Sequence, residues 1–167
     1  RTGYDAHFHG LALMYHRKFI EARETFAGVY KKDLIRAFKK FQEMGFLEII
    51  GSCATHGFLP ILGVDENAAR AQVMIGVDHY KKTFGCAPKG FWLPECGYYP
   101  GVDNILKEAG IKYFFVDSHG VLNADPSPKF GVYAPLYCPS GVAAFGRDLE
   151  SSKQVWSSKE GYPGDVD

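Results

Sequence analysis

Residues 90–101 read Gly90-Phe91-Trp92-Leu93-Pro94-Glu95-Cys96-Gly97-Tyr98-Tyr99-Pro100-Gly101. The apolar run Phe91-Trp92-Leu93 has the composition of a short strand. Pro94 brings no backbone N–H to a ladder, so pairing is expected to stop there. Glu95 then falls just beyond the C-terminal end of a strand. In parallel α/β folds that edge is where ligands bind and chemistry is done. Trp92, Tyr98 and Tyr99 surround it with flat faces suited to the plane of a polyol ring.

The same grammar recurs on both sides. Upstream, residues 46–50 read as a strand with Glu48 interrupting an apolar run, and residues 51–57 as the loop that follows it. Downstream, residues 111–116 hold the unbroken run Tyr113-Phe114-Phe115-Val116, expected to be buried on both faces. Asp117-Ser118-His119-Gly120 then places polar groups beyond that strand. Between the strands, a helix is predicted from the N-cap Asp65 to Phe84, with a buried stripe of Val73, Val77, Tyr80 and Phe84 and with Gly85 closing it. A shorter helix over residues 102–108 ends at Gly110. After a Pro/Ser loop at 124–129, residues 131–137 and 142–145 read as further strands.

Strands alternating with helices imply an α/β protein with a parallel sheet. Thr55/His56, Glu95 and Asp117/His119 fall at three successive strand ends, as on adjacent staves of a (β/α) barrel. Such a barrel takes about 250 residues, so these 167, enough for one domain, are expected to be a section of a longer barrel in preference to a strongly reduced version of one. The first residue, Arg1, and the loop-like tail at 161–167 fit that expectation. Ahead of the first strand, residues 11–27 read as a helix with only rough periodicity in Leu11, Met14, Tyr15, Ile20 and Ala22, broken at Gly28-Val29-Tyr30. Residues 32–44 read as a second helix, with Leu34, Ala37, Phe38 and Phe41 at the spacing of a buried face and Gly45 at its end.

Composition narrows the function. Lys plus Arg and Asp plus Glu are both 19, and the basic pairs are scattered. A nucleic-acid partner, which needs a concentrated basic surface, is therefore not expected. Nor is a membrane partner, since there is no run of about 18 apolar residues and no signal-peptide core. Cys53, Cys86, Cys96 and Cys138 form no CxxC pair, and are expected to be reduced and mostly buried in a cytoplasmic protein. Aromatic residues reach 15%, with 10 Tyr and 13 Phe. Most of the Phe belong to a core, whereas Tyr, with its flat face and hydroxyl, suits a cleft.

Glu95 leads the candidates, as nucleophile, general acid or metal ligand, and the flanking Trp92 and Tyr98 favour sugar over metal. His56, on a loop that must turn, is placed to hydrogen-bond a substrate hydroxyl or a developing negative charge. Asp117 and His119 follow the third strand and could point into the same cleft; Asp117 either caps the next turn or holds an active-site side chain in place. Asp5, His7 and His9 have the alternate spacing of ligands on an extended segment, but no later partner is evident and no metal is assigned. No GxGxxG, no P-loop lysine and no Gly-x-Ser-x-Gly elbow is present, so no cofactor is expected. A retaining glycosidase needs two carboxylates about 5 Å apart. Glu95 supplies one, and no second has equal standing, Asp117 being the best in this stretch.

Three segments carry a resemblance: Cys53-Ala-Thr-His-Gly-Phe-Leu-Pro60, Gly90-Phe-Trp-Leu-Pro-Glu-Cys-Gly-Tyr98 and Tyr113-Phe-Phe-Val-Asp-Ser-His-Gly120. Gly131-Val-Tyr-Ala-Pro135 and residues 140–165 extend it. In these the chain resembles glycoside hydrolase family 57, and within it the 1,4-alpha-glucan branching enzymes. The resemblance implies an incomplete (β/α)7 barrel and retaining transfer on α-1,4-glucan, with Glu95 as nucleophile. It also implies His56 in the subsite that holds the attacked glucose, Trp92 within the nucleophile motif and Asp117 in a supporting role nearby. The family's His-x-Pro motif of the first strand and the region with its acid/base Asp have no match here. The chain alone is accordingly expected to show little catalysis without other segments of the same enzyme.

Overall fold

The computed structural model describes residues 6–159 and 161, with side chains from Phe8 onward. The chain divides into two compact units, Arg1–Glu48 and Ile49–Asp167. In the first, α1 (Ala6–Glu24) continues into a π-helical turn at Thr25–Val29, so Gly28 sits inside the helical run rather than breaking it. α2 (Leu34–Glu43) starts where the Asp33 carboxylate accepts the Arg36 N–H at 2.8 Å. The stripe expected to be buried is not. Leu34, Phe38 and Phe41 are exposed and no residue of α2 is buried. An amphipathic helix hides its stripe only against another layer, and among the described residues of this unit no such layer covers it.

The second unit holds a sheet in the order β1-β2-β3-β5-β4. β1 (Gly51–Ser52), β2 (Gly90–Trp92), β3 (Tyr113–Val116) and β5 (Ala143–Gly146) run parallel, while β4 (Leu136–Tyr137) pairs antiparallel with β5 at the edge. The helices are α3 (Leu59–Leu62), α4 (Glu66–Phe84), α5 (Val102–Glu108), α6 (Ser118–Leu122) and α7 (Leu149–Trp156). The α/β class with a mainly parallel sheet is therefore as expected.

The predicted first strand is displaced. Residues 46–50 carry no ladder, and pairing begins at Gly51 opposite Phe91. The Ile49 carbonyl is taken instead by the Tyr80 hydroxyl, which donates to it at 2.8 Å. Residues 131–137 likewise do not form one strand. Gly131–Tyr133 is a 3-10 turn, and Pro135, without an N–H, delays pairing to Leu136. α4 follows prediction closely: Asp65 accepts the Asn67 N–H, Val73, Val77 and Tyr80 are buried, Phe84 is only half-buried beside Tyr80, and left-handed Gly85 (φ 77) ends it. Gly76 lets α4 close onto β1, because a Cβ there would collide with the Ser52 carbonyl oxygen.

Register sorts the side chains into two layers. Phe91, Phe114 and Ala144 lie side by side across three strands and join the core with Val73, Val77, Leu106 and Val121. The neighbouring row is Ser52, Trp92, Phe115 and Phe145. β3 is thus not buried on both faces: Phe114 and Val116 are buried, but Tyr113 and Phe115 are half-buried. Alternation along the strand sends these two rings to the other layer. There Tyr113, Phe115 and Phe145 meet at centroid distances of 5.6–6.0 Å, and Trp92 stands 6.1 Å from Phe115.

Candidate functional site

The stretch after β2 turns at once. Pro94–Cys96 form a single 3-10 turn, closed by Cys96 N–H to Leu93 O (2.8 Å) and Gly97 N–H to Pro94 O (3.0 Å). Glu95 and Cys96 both hold left-handed backbones, φ 52 and φ 55. Two consecutive non-glycine residues in that region cost of the order of 1–3 kcal/mol each, so the surrounding structure must impose the turn. Cys96 is buried, and a Cβ at Gly97 would overlap the Phe58 ring, so the loop after β1 presses directly on this turn. Glu95 itself is exposed.

The loop after β1 brings His56 to the same place. His56 is left-handed as well (φ 56), and its Nε2 lies 3.4 Å from Glu95 Oε1. Gln72 on α4 holds this loop: its carbonyl accepts the Ala54 N–H, its side-chain oxygen accepts the Thr55 N–H, and its amide donates to Thr55 Oγ1. Ser52 Oγ donates to the Trp92 carbonyl at 2.9 Å, tying β1 to the residue that opens the next turn.

Asp117 takes the N-cap position of α6 but makes no side-chain cap bond. Its Oδ1 accepts from an Arg147 guanidinium nitrogen at 3.0 Å. Of the two alternatives left open by the sequence, the side-chain cap is thus not formed, and the partner of Asp117 is Arg147. Arg147 follows β5 directly, as Asp117 follows β3, and the last residues of these strands, Val116 and Gly146, are register partners. The guanidinium also lies 4.9 Å from the Trp156 ring, 5.7 Å from the Trp92 ring and 3.6 Å from Cys96 Sγ. His119, exposed on α6, lines a cavity of about 310 Å³ with Asp117, Arg147, Lys153 and Trp156.

Tyr98 is not drawn into this cluster. Its ring stacks on Phe114, a member of the helix-side core, at 5.8 Å and nearly parallel. Burial first, and then Cys138 and Asp103, push its phenol up to about 12. Tyr99 packs against Gly63, and burial raises its phenol too. Sequence reasoning singled out neither Arg147, nor Trp156, nor Gln72. Arg147 carried the usable signal, a charged residue immediately after an apolar strand; Gln72 carried none.

Among the described residues no group of three His, Cys, Asp or Glu side chains could hold a metal ion. Asp5 and the His7 side chain lie outside the described residues. The four cysteines form no disulfide, and Cys86 is exposed rather than buried. No described helix is long and apolar enough to cross a membrane.

Against known proteins, the model of "Glycosyl hydrolase family 57" matches residues 8–162. The chain is 38% identical to the 1,4-alpha-glucan branching enzyme TK1436 of Thermococcus kodakarensis, over 97% of this chain and 27% of that protein. Its fold superposes on the α-amylase AmyC of Thermotoga maritima with a TM-score of 0.87 and 45% identity, over 99% of this chain and 32% of that one. It superposes on the crystal structure of TK1436 in complex with glucose and additives with a TM-score of 0.76 and 36% identity, over 93% and 32%. The chain thus spans about a quarter to a third of the length of these relatives.

Proposed function

The chain belongs to glycosyl hydrolase family 57, and on that premise we propose that it is the part of an α-glucan-active catalytic domain that supplies the nucleophile, Glu95. One observation carries this reading: an exposed carboxylate held on a left-handed turn at a strand's C-terminal end, 3.4 Å from an imidazole. In retaining transfer, Glu95 attacks C1 of a glucose unit while a second carboxyl group protonates the departing 4-oxygen. The glycosyl group then rests on Glu95 until an acceptor hydroxyl, deprotonated by that second group, displaces it. Asp117 is engaged with Arg147, so the acid/base role is assigned to a segment outside these 167 residues. The greater length of the relatives supports that assignment. His56 is assigned to the glucose unit under attack, and Trp92 to a face of the sugar.

The acceptor we infer is the 6-hydroxyl of another glucan chain, which makes the reaction branching. The 38% identity to a branching enzyme over nearly the whole chain supports it. Hydrolysis is the second reading, favoured by the 45% identity to AmyC, an α-amylase. Incubating the full-length protein with amylose separates them. Iodine absorbance falls in both cases, but branching creates α-1,6 linkages without a matching rise in reducing ends. Glu95→Gln is expected to abolish turnover and to keep glucan binding. Full turnover in that variant would remove Glu95 from the mechanism.

A further inference from the structure

We propose that Arg147 is a positioning residue that sets the two tryptophans and the Glu95 turn for sugar binding, an inference that rests on the α-glucan reading above. One planar guanidinium reaches four structural pieces. It bonds Asp117 Oδ1 at 3.0 Å after β3, and touches Cys96 Sγ at 3.6 Å, the residue next to Glu95. Its carbon stands 5.7 Å from the Trp92 ring at the end of β2 and 4.9 Å from the Trp156 ring at the end of α7. Its own backbone N–H donates to the Val116 carbonyl at 2.9 Å, which fixes where the side chain starts. A guanidinium offers in-plane donors and two flat faces at once, so it can bond carboxylate and sulfur while stacking on rings. A lysine offers a point charge with N–H donors but no planar fork and no flat face.

The charge balance supports the same role. An unpaired arginine beside the Glu95 turn would draw in that carboxylate. Asp117 supplies the counter-charge, and Glu95 is left facing His56. Arg147 therefore acts through its neighbours: it spaces Trp92 from Trp156 and holds Cys96, and with it the turn, in place.

The test uses the full-length protein with Arg147→Ala and Arg147→Lys, followed by turnover of amylose and by tryptophan fluorescence during titration with maltoheptaose. Misplacement of a site by about 1 Å costs roughly 100-fold, so Arg147→Ala is expected to lose about that factor in kcat/KM and most of its fluorescence response. Added methylguanidine is expected to restore at least about a tenth of the activity, which a purely structural loss would not allow. Arg147→Lys, which keeps the charge and gives a second route should the alanine variant fail to fold, is expected to remain impaired at least tenfold. The proposal is overturned if either folded variant keeps kcat/KM within about threefold of the parent. Loss of activity in step with loss of folding, without methylguanidine rescue and with an unimpaired lysine variant, also overturns it. If the unmutated protein neither responds to maltoheptaose nor turns over amylose, the α-glucan reading itself fails and takes this inference with it.

Discussion

His56 Nε2 lies 3.4 Å from Glu95 Oε1, although the two residues come from different loops and each holds a left-handed backbone. Both side chains are more than half exposed, so the pair contributes little to stability; exposed ion pairs are worth about 0–1 kcal/mol. Its meaning is geometric. Ser52 and Trp92 are register partners, so the loops that follow β1 and β2 leave the sheet side by side. Each then turns sharply enough to bring one functional side chain back toward the other.

The strain in the Glu95 turn has a measurable sign. Glycine adopts a left-handed backbone freely, whereas alanine retains the penalty there; glycine in turn loses more entropy on folding. Glu95 is exposed, so neither replacement sacrifices packing. Glu95→Gly is expected to be more stable than Glu95→Ala by about 0.5–1 kcal/mol, the strain relieved less the entropy lost. Denaturant midpoints of the two variants decide it. An alanine variant at least as stable as the glycine variant would mean that the turn is unstrained.

Stability should fall in alkali. Burial pushes the Cys53 thiol from 9.0 to about 12 and, as the leading cause, the Tyr98 phenol from 10.0 to about 12. In both groups the folded state keeps a proton that the unfolded chain has released. The unfolded state then binds fewer protons, so the free energy of unfolding falls as pH rises. The contribution is fully present below about pH 9 and lost progressively toward about pH 12. Denaturant midpoints measured across that window should decline, and Cys53→Ala should decline less steeply. Equal slopes with and without the thiol would refute the assignment to Cys53.

Sequence and structure agree where one signal sufficed and part where two competed. The strand at Gly90–Trp92 and the position of Glu95 were legible because Pro94 ends a ladder chemically. α4 was legible because its N-cap, stripe and terminal glycine all agree. Residues 46–50 misled because an apolar run does not reveal who takes its carbonyls; Tyr80, some thirty residues on, takes that of Ile49. The apolar stripe of α2 misled in the other direction, since periodicity marks a face without naming the layer that covers it. At the site, each strand-end residue could be read singly. That Asp117 would bind Arg147, and that Tyr98 would stack on Phe114 rather than join Trp92, depends on register, which only the assembled sheet fixes.

Gln72, half-buried on α4, is expected to matter for rate more than for stability. Its side chain bonds both Thr55 N–H (3.0 Å) and Thr55 Oγ1 (2.8 Å), and its carbonyl takes the Ala54 N–H. Gln72→Ala removes the two side-chain bonds, in a place where water can replace them. The net cost is therefore expected to stay near 1 kcal/mol. The loop ahead of His56 loses its restraint, however, and with it the fixed approach of the imidazole to Glu95. In the full-length protein, kcat is expected to fall by about tenfold or more, since small misplacements at a site cost rate steeply. Amide exchange at Thr55 should quicken at the same time. Gln72→Glu, which keeps an acceptor for the Thr55 N–H and loses the donor to its hydroxyl, should fall between the two. Unchanged exchange at Thr55 together with unchanged kcat in the alanine variant would show that the loop holds His56 without help from α4.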